Sequence, residues 1–304
     1  MPRKEADLLD SFSVVGTGAL ARVLGRALTE HGFRCVAWFG RDASKAADCA
    51  GVVDAEYVGS IGQMRLPSAD ITFLAVSDDA VEEVAQSLAS SGIPDGSLVL
   101  HTSGVHDHRI LDALASRGAQ TGSFHPLQSF TGDEGKDRFR GITIAVEGTQ
   151  AAMAAGRRLA DDLLALAVEI EPDRKALYHA TAVMAGNHAI AMLASASDLW
   201  ERATSDQQGA VEALGPLTRQ SVDNALNMGP GEALTGPVVR GDLGTLSRHL
   251  DALERYADHL LPMYVAVVTE TIHLALKSGR LSTEQAVTML DLLASRVQAD
   301  TEDA

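Results

Sequence analysis

The chain has 304 residues, 46% of them hydrophobic and 22% charged, the composition of a folded globular protein with room for two cores. Lysine and arginine number 25 against 41 aspartates and glutamates, a formal net charge of −16. With no basic cluster and only 4% aromatic residues, nucleic acid is excluded as an expected partner.

After a charged tail over 1–10, the apolar run 11–16 reads as a short buried strand, and 20–31 has helical spacing. A second strand, 34–39, ends at Gly40. Further strands are expected at 70–76, 97–101, 122–124, 142–146 and 168–170, with helices at 79–90, at 110–117 and between the last two strands. Strands alternating with helical patterns predict parallel crossover units in a doubly wound α/β sheet. Beyond Pro172 the strand signal stops. The segments 174–202, 207–227, 243–278 and 282–298 all have helical periodicity, so an all-α domain over 173–304 is expected to follow a sheet domain over 11–172.

The apolar stretches are interrupted before the ~18 residues that a membrane span needs, and no apolar run follows the N-terminal charges as in a signal peptide. Two cysteines, Cys35 and Cys49, offer neither a disulfide framework nor metal spacing. A cytoplasmic protein with no membrane partner and no metal is the expectation.

Between the first strand and the first helix stands Gly16-Thr17-Gly18-Ala19-Leu20-Ala21, a G-x-G-x-x-G/A fingerprint in the strand–turn–helix context it requires. Gly16 permits the tight turn, Gly18 lets backbone approach a pyrophosphate, and Ala21 keeps helix and strand close. The helix N-terminus then faces the anion. A ribose-binding acid is expected at the end of the second strand if the cofactor is NAD. Here Gly40 is followed by Arg41, whose guanidinium matches a 2′-phosphate as a fork, and Ser44 and Lys45 would add donors from the next helix start. Asp42 could serve a ribose instead. NADP is favoured over NAD.

Four further segments occur in one order: Leu74-Ala75-Val76-Ser77-Asp78, His101-Thr102-Ser103-Gly104, Gly122-Ser123-Phe124-His125-Pro126-Leu127-Gln128-Ser129-Phe130, and Ala233-Leu234-Thr235-Gly236-Pro237-Val238-Val239-Arg240-Gly241-Asp242. Together they resemble the Rossmann-like proteins that carry the C-terminal domain of unknown function 2520. That group is similar in architecture to ketopantoate reductases, pyrroline-5-carboxylate reductases, β-hydroxyacid dehydrogenases and imine reductases. The resemblance implies a Rossmann domain joined to a helical domain that forms a homodimer. It also implies hydride transfer from a nicotinamide to a small C=O or C=N group, with Val76, Ser77 and Asp78 at the cofactor.

In ketopantoate reductases and β-hydroxyacid dehydrogenases, the first helix of the second domain presents a lysine four residues before an asparagine. Asn187 fits the asparagine, but Val183 stands where the lysine would be. His179, eight residues before Asn187, falls on the same stripe of a continuous helix and would donate the proton instead. It could equally pack at an interface, and His188 lies on another face. Ser103 and His125, each after a buried strand at the sheet's C-terminal edge, are the other catalytic candidates. His106 and His108 read as two exposed histidines opening a helix rather than as metal ligands. Between Gly229 and Asp242 a long Gly- and Pro-rich loop offers Thr235 and Arg240 to a substrate carboxylate, unless Asp242 caps the next helix and pairs with Arg240.

The expectation is an NADP-dependent reductase of a small 2-oxo acid, ketopantoate-like. A cyclic-imine reductase is the alternative within the class. A non-catalytic dinucleotide-binding sensor is the alternative outside it, favoured by the missing lysine.

Overall fold

The computed structural model describes residues 9–132, 135–204 and 209–302. Its first half alternates strands and helices in chain order: β1 (Ser11–Val15), α1 (Ala19–Glu30), β2 (Arg34–Gly40), α2 (Ala43–Val52), β3 (Tyr57–Ser60), β4 (Ile71–Leu74), α3 (Val81–Ser91), β5 (Leu98–His101), the single turn α4 (Asp112–Ala115), β6 (Gln120–Pro126), β7 (Thr143–Gly148), α5 (Gln150–Asp162) and β8 (Leu166–Glu169). The sheet order is β3-β2-β1-β4-β5-β6-β7-β8. Chain direction reverses its march at β1, which pairs with both β2 and β4, and a ligand crevice opens outside the strand ends at such a switch point.

All neighbouring strands are parallel except β6 and β7. The doubly wound sheet is therefore mostly parallel, with one antiparallel pair. In the described part of the β6–β7 connection the only helical piece is a 3-10 turn, Lys136–Phe139, too short for a crossover. The expected helix over 110–117 is a 3-10 turn, His108–Leu111, followed by α4. β3 had no counterpart among the expected strands.

Side chains alternate across the strands to fill two cores. Phe12, Val14, Trp38, Phe73 and Phe124 face α1, α2 and α5, while Val15, Ala37, Phe39, Leu74 and Val99 face α3 and α4. Both faces are covered, as a mainly parallel sheet requires.

The remaining helices are α6 (Lys175–Ala185), α7 (Asn187–Ala203), α8 (Ala210–Met228), the turn α9 (Pro230–Ala233), α10 (Leu243–Tyr256), α11 (Leu261–Lys277) and α12 (Thr283–Glu302). The chain divides into two compact units, Met1–Gly186 and Asn187–Ala304. The division falls at Gly186 rather than at Pro172, because α6 packs with the sheet unit. Two expected helices are each split. The first breaks at Gly186, whose ψ of −76° leaves helical geometry. The second breaks at Ala257, with φ −158° and ψ 51°, and restarts with Pro262 in the first turn of α11. The start expected at 207 lies outside the described residues, and α8 begins at Ala210.

In the second unit, Leu246, Leu250, Ile272 and Met289 centre a core built by α10, α11 and α12. Contrary to the sequence expectation, one stretch, Asp258–Lys277, does reach the length and mean hydropathy (1.3) of a membrane span. It also supplies Leu261, Val268, Ile272 and Ala275 to that core.

Candidate active site

The fingerprint loop is fixed from three sides. Gly16 has φ +136°, and a Cβ there would lie 2.0 Å from the Ala75 carbonyl oxygen, so no other residue fits. Its amide donates to the Phe39 carbonyl at 2.8 Å, and its carbonyl accepts from the buried Trp38 Nε1 at 2.8 Å. Gly18 starts α1 with no side-chain cap, and no acidic residue occupies the first turn. First-turn amides have no intrahelical acceptors, so this end is a ready anion site. A Cβ on Gly18 would meet nothing within 4 Å, which leaves that space for a phosphate group.

A cleft of about 870 Å³ follows this loop from Gly16 to Arg22. Arg41, Asp42 and Lys45 border it at one end, and Ala75, Val76 and Ser77 border it beside β4. Asp42 is occupied as the N-cap of α2: its Oδ1 accepts from the Ser44 amide at 2.9 Å and the Lys45 amide at 3.2 Å. The carboxylate is thus turned to the helix start, while two cations, Arg41 and Lys45, flank the cleft. Gly40, Ser44 and Asp78 do not line it, and of the two donors expected from the start of α2 only Lys45 does. Uncapped amides, an open Gly18 and flanking cations fit a phosphorylated dinucleotide.

The cleft reaches Thr102, one residue before Ser103. Ser103 is buried; its amide donates to His101 Nδ1 at 3.2 Å, and its Oγ accepts from the amides of Val105 and His106. That assigns the His101 proton to Nε2, and complete burial pushes this imidazole down to about 3.

β6 contributes Ser123 and His125 from one face, two residues apart. The start of α6 lays Lys175, Tyr178 and His179 against them. Lys175, with 1% exposure, donates from Nζ to Ser123 Oγ at 2.5 Å and stands 5.6 Å from the Tyr178 ring centre. His125 Nδ1 shares a 2.8 Å hydrogen bond with the Tyr178 hydroxyl, and its ring meets His179 edge-on at 6.0 Å. Gly104 makes this approach possible, since a Cβ there would lie 2.5 Å from His179 Cδ2 and 2.8 Å from His125 Nε2.

Burial, reinforced by the nearby Lys175 charge and by His179, lowers His125 to about 4, so it is neutral at pH 7. Burial lowers Lys175 to about 8, against the opposing pull of Glu147, Asp107 and Asp78. Burial also raises the Tyr178 phenol to about 12. At neutral pH the cluster therefore sets one ammonium, Lys175, beside the neutral His125 imidazole and the Tyr178 phenol.

Residues 4–126 match the family model described as a Rossmann-like domain, and residues 142–271 match the domain of unknown function (DUF2520). The chain is a Rossmann-like domain followed by a DUF2520 domain. The DUF2520 match begins one residue before β7, so the last two strands of the sheet belong to it by sequence. No curated protein matches the chain. Among solved structures, one provisionally assigned as an NADP oxidoreductase, from Bacteroides fragilis, is 24% identical over 87% of this chain and 98% of that one, with a TM-score of 0.73. Protein TM1727 from Thermotoga maritima is 22% identical over 87% and 99%, with a TM-score of 0.71. A reductive aminase from Aspergillus terreus, solved with NADPH and ethyl-5-oxohexanoate, is 17% identical over 96% and 95%, with a TM-score of 0.57. At these identities the likeness establishes the fold.

Within the DUF2520 region one sequence expectation is corrected. His179 and Asn187 do not share a continuous stripe: α6 ends at Ala185, and Asn187 is exposed at the start of α7, in the other compact unit. A different lysine, Lys175, stands four residues before His179 and is buried at the start of α6. Lys175, Tyr178, Ser123 and Glu147 were not anticipated. Their one visible sign was Lys175-x-x-Tyr178-His179, three polar groups on one helix face directly after Pro172.

His108 is not a free surface residue, since its amide donates to Glu147 Oε2 at 2.9 Å and its ring pairs with the other oxygen. His188 is exposed on α7. Among the described residues, no three His, Cys, Asp or Glu side chains converge as a metal site. In the second unit Thr235 and Arg240 are exposed. Asp242 caps α10, accepting from the Thr245 amide at 2.9 Å, and Arg280 Nη1 holds the loop through the carbonyls of Gly231, Glu232 and Leu234.

Proposed function

We propose that the protein is an NADP-dependent oxidoreductase that reduces a small carbonyl compound, a ketopantoate-like 2-oxo acid in its finer form. The observation carrying this reading is the buried Lys175 cluster beside the end of a dinucleotide-shaped cleft. Amides from Gly16 to Leu20 would hold the pyrophosphate, and Arg41 with Lys45 would hold the 2′-phosphate. When bound, the reduced nicotinamide supplies the hydride.

The chain must then supply a proton. A general acid works best when it titrates near the operating pH, and Lys175, at about 8, is charged at neutrality yet able to release. His125 is already neutral there, so it orients a carbonyl oxygen together with the Tyr178 hydroxyl. His179 and Ser103 border the same place.

An imine substrate is a second reading, favoured by one feature. Lys175 is already bonded to Ser123, which leaves it less free to bind a carboxylate. A protonated iminium needs neither a carboxylate clamp nor a proton donor. The sensor alternative loses its motive once Lys175 is recognised. A homodimer joined through the helical unit, working in the cytoplasm, completes the proposal.

NADPH oxidation over a panel of 2-oxo acids, neutral ketones and cyclic imines tests this. Turnover of a 2-oxo acid is the expected result. Turnover of imines alone selects the second reading, and turnover of nothing despite tight NADPH binding contradicts both.

A further inference from the structure

Because β6 and β7 run antiparallel, Ser123 and Glu147 stand directly opposite one another, and each is only 1% exposed. A carboxylate at that depth is costly unless it is matched. Glu147 is matched on one side by His108, through the backbone amide at 2.9 Å and the imidazole Nδ1. On the other side lies Lys175, whose ammonium is bonded to Ser123, the residue facing Glu147 across the strands. Carboxylate and ammonium thus interact through space across the Ser123–Glu147 pair.

The other groups acting on Lys175 are weaker holders of a cation. Asp107 is gripped by Arg109 through Nε at 2.9 Å and Nη2 at 2.7 Å. Asp78 lies at the turn after β4 and is part-exposed. His101 and His125 repel a cation when charged and are neutral, Tyr178 is protonated, and His179 approaches His125 rather than the ammonium. Among the described residues Glu147 is the one carboxylate in the buried set.

We propose that Glu147, clamped by His108, is a positioning residue that holds Lys175 as an ammonium on Ser123 and so keeps the proton ready for the reduction. This rests on reading Lys175 as the proton source.

The test follows the lysine directly and needs no substrate. The chain has five lysines, so protein grown with ¹³C-labelled lysine gives few signals, and Lys175→Met identifies the one of interest. In the wild type its midpoint is expected at about 8. Glu147→Gln should lower that midpoint by about one unit or more, since an opposite charge favours the cationic form. An unchanged or raised midpoint overturns the proposal, a rise being what loosening and hydration of the site would give. Should Glu147→Gln fail to fold, Glu147→Asp serves. It keeps the charge but draws it back by one methylene, and a fall of roughly half a unit is expected. An unchanged or raised midpoint overturns the proposal. Once a substrate is found, the alkaline limb of the kcat profile should move down with the midpoint in Glu147→Gln, whereas a merely structural role would lower kcat at every pH. A midpoint that falls while the limb stays put upholds Glu147 as the charge partner but removes Lys175 as the proton source.

Discussion

The two compact units finish their cores differently. In the sheet unit, helices cover both faces, and Trp38, Phe12, Phe73 and Phe124 are at most 1% exposed. In the helical unit, burial is concentrated in α10, α11 and α12, whereas α7 buries no residue and α8 only Gly215. Ile190, Val222 and Leu226 are 68%, 51% and 80% exposed. A sheet recruits its cover from its own crossover helices. Helices that leave apolar side chains bare need a second surface, and the proposed homodimer would supply it.

The largest expected effect follows from that contrast. Val222→Asp combined with Leu226→Asp places two charges one turn apart on α8. Each apolar side chain contributes about 1.5–3 kcal/mol when buried, so the pair should dissociate a dimer at micromolar concentration while wild type sediments as two chains. A monomeric wild type would break the comparison, because the helices would then be stable while bare.

Acid stability sharpens it from the other side. His101 titrates at about 3 and His125 at about 4 in the folded unit, against ~6.5 unfolded. Between pH ~6.5 and those values the unfolded chain binds protons that the folded chain refuses. Stability is therefore lost as pH falls through that window, by up to a few kcal/mol. The loss belongs to the sheet unit. Trp38 and Trp200 lie one in each unit, so urea unfolding followed in Trp200→Phe reports the sheet alone. His101→Gln should flatten the acid limb, and an equally steep limb would refute the assignment.

The smallest effect concerns the cofactor. Arg41→Ala should weaken NADPH by about 1.5–3 kcal/mol, the worth of a charge-assisted hydrogen bond, and leave NADH nearly unchanged. Calorimetric titration of both cofactors decides it; equal weakening would return the site to NAD.

Legibility in the sequence tracked how local each feature is. β1, the glycine loop and α1 were readable because strand, turn and helix signals are contiguous. β3 was not, since two of its four residues are exposed and Gly59 interrupts the apolar signal. Strand direction leaves no mark on a single strand, so the antiparallel β7 could not be foreseen. The break at Gly186 hides in an alanine-rich run whose periodicity continues on both sides, although Pro262 was an available sign for the start of α11. Lys175 escaped for a related reason. A lysine at a helix start normally reads as solvated, and only the fold, by laying α6 on the end of β6, buries it against Ser123.

The most direct measurement of the central claim follows the hydride itself. NADPH deuterated at the transferring position should deliver deuterium to the former carbonyl carbon of a 2-oxo acid. Lys175→Met should slow that transfer about 10²–10⁴-fold with its NADPH affinity intact. Deuterium retained in the cofactor across the whole panel, or full transfer in Lys175→Met, would contradict the account.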